Sequence, residues 1–171
     1  NAKNTNDVSA DLYALSENSN FVICSGAKSI LDLSKTNELL ETLGITRIGY
    51  QTNFMPGFWY EETENKVDNK FDEIHEISSF LKLSENLENK KSILIFNKVP
   101  LEKAINKEDV EKWINNATLK AKKDSISGKE LTPFLIKEIN EQSKNETLNT
   151  NISLIINNAN LAGKIAKNFY S

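Results

Sequence analysis

Three short β-rich runs constrain this chain most: Phe21–Cys24, Ile45–Tyr50 and Ser92–Phe96 are short enough and apolar enough to be buried strands, and polar segments bound them. Strands of that kind are buried on both faces, as in a parallel sheet covered by helices. The segments between and after them carry helical spacing. Ser34 is the expected cap of a helix over Lys35–Leu43, with Leu39, Leu40 and Leu43 on one face and Gly44 at the stop. Asp72–Leu87 sets Ile74, Ile77, Phe80 and Leu81 on one side. Asn106–Lys123 opens with an Asn cap and an acidic first turn, then repeats Val110, Trp113, Ile114 and Ala117. Thr132 and Pro133 read as the cap and first position of a helix reaching Gln142. In the last predicted helix, Asn151–Phe169, the residues Ile152, Ile155, Ile156, Ala159, Ala162 and Ile165 align as a core-facing row. Strand and helix alternate, which predicts an α/β fold with a mainly parallel sheet. Tyr60–Asp72 and Ser84–Lys91 read as polar loops, and no repeat is visible. The 171 residues fit one domain, or one piece of one.

Composition removes several classes of function. A single cysteine allows no internal disulfide and no cysteine metal cluster, so a reducing, cytoplasmic setting is expected. Apolar runs such as SILIF fall far short of the ~18 residues of a membrane helix. A net charge of −3 argues against a protein held to nucleic acid by phosphate contacts. Arg47 is the only arginine. The chain starts at Asn1, and its polar opening NAKNTND reads as cut from something longer.

Phe21–Asp32, FVICSGAKSILD, is the most informative stretch for chemistry. An apolar strand runs into Ser25, Gly26 and Ala27, and Lys28 follows at the strand's carboxyl end, where α/β sheets bind ligands. An ordinary lysine, with a pKa of ~10.4, is neutral in about one molecule in 2,500 at pH 7. Burial or a neighbouring cation that lowered the pKa to ~7.5 would leave about a quarter neutral, a nucleophile for a carbonyl or sugar carbon. The same spacing also fits a solvated lysine in a strand-to-helix turn. Asp7-Val8-Ser9-Ala10-Asp11 offers two carboxylates and a hydroxyl for a cation and a sugar, or a simple cap for a short helix running to Leu15. Gly128–Phe134 opens a helix without the glycine spacing of a phosphate loop. Asn151, Asn157 and Asn158 are polar residues on an apolar helix that either need buried partners or face water. His75 reads as solvated and Cys24 as a small core residue, so neither a catalytic triad nor a multi-histidine metal site is expected.

Six ordered stretches together resemble the pseudouridine-5′-phosphate glycosidase family, also known through indigoidine synthase A-like proteins. They are DVSADL (Asp7–Leu12), CSGAKSILDL (Cys24–Leu33), ETLGITRIGYQT (Glu41–Thr52), MPGF (Met55–Phe58), GKELTPFL (Gly128–Leu135) and NISLIINNANLAGKIA (Asn151–Ala166). The resemblance implies a three-layer α/β/α fold, usually a homotrimer, that reversibly splits pseudouridine 5′-phosphate into uracil and ribose 5-phosphate. It implies that Lys28 is the covalent residue, adding to C1′, opening the ring and forming an imine that helps the carbon–carbon bond break. By the same match Asp7 holds a divalent metal, typically manganese. Ser9, Ala10 and Asp11 contact the substrate, Asn151 faces the site, and Thr132 lies nearby. The family's Asn-Pro-Ile-Pro is Asn97-Lys98-Val99-Pro100 here, and its Pro-Ala-Phe is Pro56-Gly57-Phe58. Family members are nearly twice as long, and no residue here matches their acidic proton donor or their phosphate-gripping lysine. Residues 1–171 are therefore expected to be the C-terminal portion of one such domain, completed by an N-terminal segment. The alternative is a non-catalytic nucleotide- or sugar-phosphate-binding scaffold of the same ancestry.

Overall fold

A computed structural model describes residues 11–171, and the three apolar runs form three strands of its sheet. The strands are β1 (Phe21–Cys24), β2 (Thr46–Tyr50), β3 (Asn69–Phe71) and β4 (Ile93–Phe96), in the spatial order β1-β4-β2-β3. Every pairing is parallel: Phe21 lies opposite Ile93, Thr46 opposite the same Ile93, and Ile48 opposite Asn69. All four residues of β4 are buried, as its central place requires. Strand β3 lies inside the stretch expected to be a loop. At three residues, two of them polar, it is too short to show a period, and it sits at the sheet's edge where polar side chains reach water.

Among the described residues there are six α-helices: α1 (Asp11–Glu17), α2 (Leu33–Thr42), α3 (Ile74–Asn86), α4 (Lys107–Lys123), α5 (Leu131–Gln142) and α6 (Glu146–Phe169). On one face of the sheet Leu12 of α1 and Leu40 of α2 pack with Leu94 and Phe96. On the other, Ile77 and Leu81 of α3 and Leu161 and Ile165 of α6 cover Ile48, Ile93 and Ile95. These are the three layers of an α/β/α fold. A further apolar cluster joins α4 and α5 to Ile30, Trp59 and Tyr60 beside the sheet.

Several helix boundaries differ from expectation, each for a local reason. Asp32, not Ser34, caps α2, its carboxylate accepting from the Lys35 backbone N–H at 3.1 Å. Glu76 reaches back to accept from the Glu73 N–H, so α3 starts two residues later than Asp72. A turn of 3₁₀ helix at Gly128–Glu130 leads directly into α5, which leaves Thr132 inside the first turn rather than at the cap. Asn106 caps α4 as expected.

Helix α6 gives the largest correction. It begins at Glu146, and its buried face is Thr147, Thr150, Leu154, Leu161 and Ile165. Of the predicted row, Ile165 is buried, whereas Ile152, Ile155 and Ile156 are 50%, 70% and 57% exposed. Two hydroxyls ahead of the predicted start, at Asn151, join the buried face: Thr150 Oγ1 donates to the Lys103 carbonyl and Thr147 pairs with Ser143. The sole arginine also has a structural use. Arg47 is buried and grips both Asp68 carboxylate oxygens while donating to Asn37, a forked geometry that lysine cannot supply.

Candidate active site

The loop leaving β1 is built to hold one conformation. Ser25 is buried, and its carbonyl accepts from the Phe58 N–H at 3.1 Å. Gly26 follows at φ +84°, with the Pro56 carbonyl so close that a Cβ would come within 2.1 Å of its oxygen. Only glycine fits there, since the position asks for both left-handed backbone and close approach. Three residues later Ser29 Oγ donates to the Gly57 carbonyl at 2.5 Å, and the Leu31 N–H bonds back to the Lys28 carbonyl. Lys28 therefore stands on a turn pinned on both sides to the Met55–Phe58 segment.

A cleft of about 670 Å³ opens beside this turn. Its floor is apolar, from Val22 and Cys24 of β1 and Leu94 and Phe96 of β4. Lys28, Asp11 and Thr132 also line it, brought together from the β1–α2 turn, the start of α1 and the start of α5. Lys28 is exposed, so its amine reaches water as well as the cleft. Burial pushes the Cys24 thiol up to about 11, which keeps it protonated and unreactive near neutral pH.

Asn151 lies outside this lining. It is half-buried on α6, and its Oδ1 accepts from Trp59 Nε1 at 2.7 Å. Asp7, Ser9 and Ala10 lie outside the described residues. Among those described, no three His, Cys, Asp or Glu side chains gather as a metal site, and no helix is long and apolar enough to cross a membrane. His75 is exposed on α3. Phe58 lines the cleft, while its neighbours Trp59 and Tyr60 are buried in the α4–α5 cluster.

The sequence reading singled out Asn157 and Asn158 without finding their use. Asn158 meets Ser25 and Asn97 at the carboxyl ends of β1 and β4, and Asn157 Nδ2 donates to the Lys98 carbonyl at 3.1 Å. Adjacent amides on an otherwise apolar helix were the available signal.

The profile of indigoidine synthase A like proteins matches residues 1–168. The chain belongs to that family. Members of the indigoidine synthase A-like family similar to it include the pseudouridine-5′-phosphate glycosidase of Petrotoga mobilis, 45% identical over 99% of this chain and 55% of the relative. The enzyme of the same name from Staphylococcus aureus is 42% identical over 96% of the chain and 54% of its own length. The chain thus spans about half the length of the relatives it matches. Among solved structures, the indigoidine synthase A-like protein from Thermotoga maritima superimposes with a TM-score of 0.84 at 34% identity, over 94% of this chain and 53% of that one. The prealnumycin C-glycosynthase AlnA, crystallised with ribulose 5-phosphate, gives a TM-score of 0.91 at 26% identity, over 98% of this chain and 55% of its own.

Proposed function

We propose that this chain carries the nucleophile of a C-glycosidase that reversibly converts pseudouridine 5′-phosphate and water into uracil and ribose 5-phosphate, with Lys28 as the covalent residue. The reading rests on one juxtaposition: Lys28, just past the carboxyl end of β1, and Asp11, seventeen positions away on α1, line a single cleft. The names of the relatives support the substrate, and the ribulose 5-phosphate bound by AlnA supports a sugar phosphate as the class of ligand.

A neutral Lys28 amine attacks C1′. The N–C1′ bond forms as the C1′–O4′ bond breaks, the amine gives up a proton and O4′ takes one. The nitrogen lone pair then drives out the uracil: C=N forms, the C1′–C5 bond breaks, and C5 takes a proton. Water hydrolyses the imine, returning the free amine and ribose 5-phosphate.

In this proposal Asp11, with Ser9 and Ala10, contacts the sugar, and Asn151 offers Nδ2 while Trp59 holds its Oδ1. Manganese belongs on Asp7. The proton donor and the phosphate grip come from an N-terminal segment, the 171 residues being the C-terminal portion of one domain in a cytoplasmic homotrimer. Uracil release tests the reading, using the chain joined to the portion of the Petrotoga mobilis enzyme that it does not match. Turnover is expected, falling at least about 1,000-fold in Lys28→Ala, and dropping when manganese is chelated or Asp7 becomes Ala. Sugar-phosphate binding without any uracil release would identify a scaffold instead.

A further inference from the structure

Two asparagines and a serine meet where β1 and β4 end. Asn158 Nδ2 donates to Ser25 Oγ at 3.1 Å, and Asn158 Oδ1 receives Asn97 Nδ2 at 3.0 Å, with Ser25 Oγ at 3.3 Å. Ser25 and Asn97 are 3% and 6% exposed, so neither has water to replace a lost partner. A cluster of this kind costs desolvation at every member and serves best where a fixed geometry is needed. What it fixes is plain from the chain: Ser25 is the residue before Gly26, and Gly26 and Ala27 are all that separate it from Lys28. Gly26, at φ +84°, is held on the β1 side by its backbone N–H on the Cys24 thiol and by its link to the tethered Ser25.

We propose that Asn158 is a positioning residue for Lys28, acting through Ser25: α6 holds the end of β1 so that the amine meets the anomeric carbon at bonding distance. This rests on Lys28 being the nucleophile. The neighbouring Asn157 fastens the β4 end by the Lys98 carbonyl, so the two amides tie both strand ends to one helix. Displacing a reacting group by about 1 Å costs on the order of 100-fold in rate, and release of a pinned turn is a smaller displacement.

The test uses the chain joined to the portion of the Petrotoga mobilis enzyme that it does not match, and follows the rate at which Lys28 is labelled by ribose 5-phosphate and cyanoborohydride, read by peptide mass mapping as rate constant and final extent. Asn158→Leu keeps the volume and removes every amide bond. It is expected to lower the rate constant about 10-fold, with the half-saturating sugar concentration and the final extent unchanged. Asn158→Asp keeps the oxygen that faces Asn97 and Ser25 and is expected to return within about 3-fold of the parent. Ser25→Ala removes the link from the other side with little change in volume, covering the case in which Asn158→Leu fails to fold, and is expected to match it. Unchanged rate constants in Ser25→Ala or in folded Asn158→Leu overturn the proposal. So does a loss confined to the final extent, which reports fewer folded molecules rather than a displaced amine. If the parent chain shows no preference for Lys28, the nucleophile assignment itself falls.

Discussion

The carboxyl ends of β1 and β4 differ sharply from the outer face of α6. At the strand ends every buried polar group has a partner, a glycine sits where no other residue fits, and Phe96 is 1% exposed. Along α6, Leu148, Ile152, Ile155 and Ile156 stand 48–70% exposed, and no described residue packs over them. Both regions draw on one helix, and α6 contributes its amides to the first and its isoleucines to the second. The contrast shows that the polar groups at the strand ends find their partners among the described residues, while an apolar surface on α6 is left over. The chain spans only about half of the relatives it matches.

If the contrast is real, substitutions should separate the regions widely. Phe96→Ala, at the floor of the cleft, is expected to lower unfolding free energy by about 3–5 kcal/mol in urea titration. A loss under about 1 kcal/mol would mean that the strand ends are loosely packed after all. The Cys24 thiol sharpens the same point through pH. Its pKa is about 11 in the fold against a usual 9.0, so between those values the unfolded chain releases a proton that the folded chain keeps. Stability is fully present below pH 9 and falls as pH rises toward about 11, by roughly 2–3 kcal/mol. At pH 8 iodoacetamide should alkylate Cys24 more than about 10-fold slower in the folded chain than in urea; equal rates would place the thiol in water. Ile155→Ala should change stability by less than about 0.5 kcal/mol, and a cost near that of Phe96→Ala would show that α6 is covered in solution.

Much of this architecture was legible because burial on both faces leaves a plain mark. The runs at Phe21, Ile45 and Ser92 became β1, β2 and β4 within a residue or so, and the apolar spacing of α3 and α4 found their buried faces. Strand β3 was hidden by its brevity, and Ser34, the expected cap of α2, lies two residues past Asp32, whose carboxylate accepts from the Lys35 N–H. Helix α6 misled for a deeper reason. Periodicity reports which residues share a face, not whether anything covers it, and here the most regular apolar row is the uncovered one. For the site, Lys28, Asp11 and Thr132 were found in the sequence and line one cleft. Asn158 and Asn97 were not found as a pair, because their pairing spans 61 residues and three elements.

The central claim is that one amine, held on a pinned turn, captures an anomeric carbon. Peptide mapping after borohydride reduction with ribose 5-phosphate tests it most directly, with Lys28→Ala alongside. The account predicts a single reduced sugar-phosphate adduct on the peptide carrying Lys28, at sugar concentrations where the other lysines stay unmodified, and none in Lys28→Ala. Adducts scattered over the exposed lysines in proportion to their accessibility, or equal labelling in the variant, would contradict it.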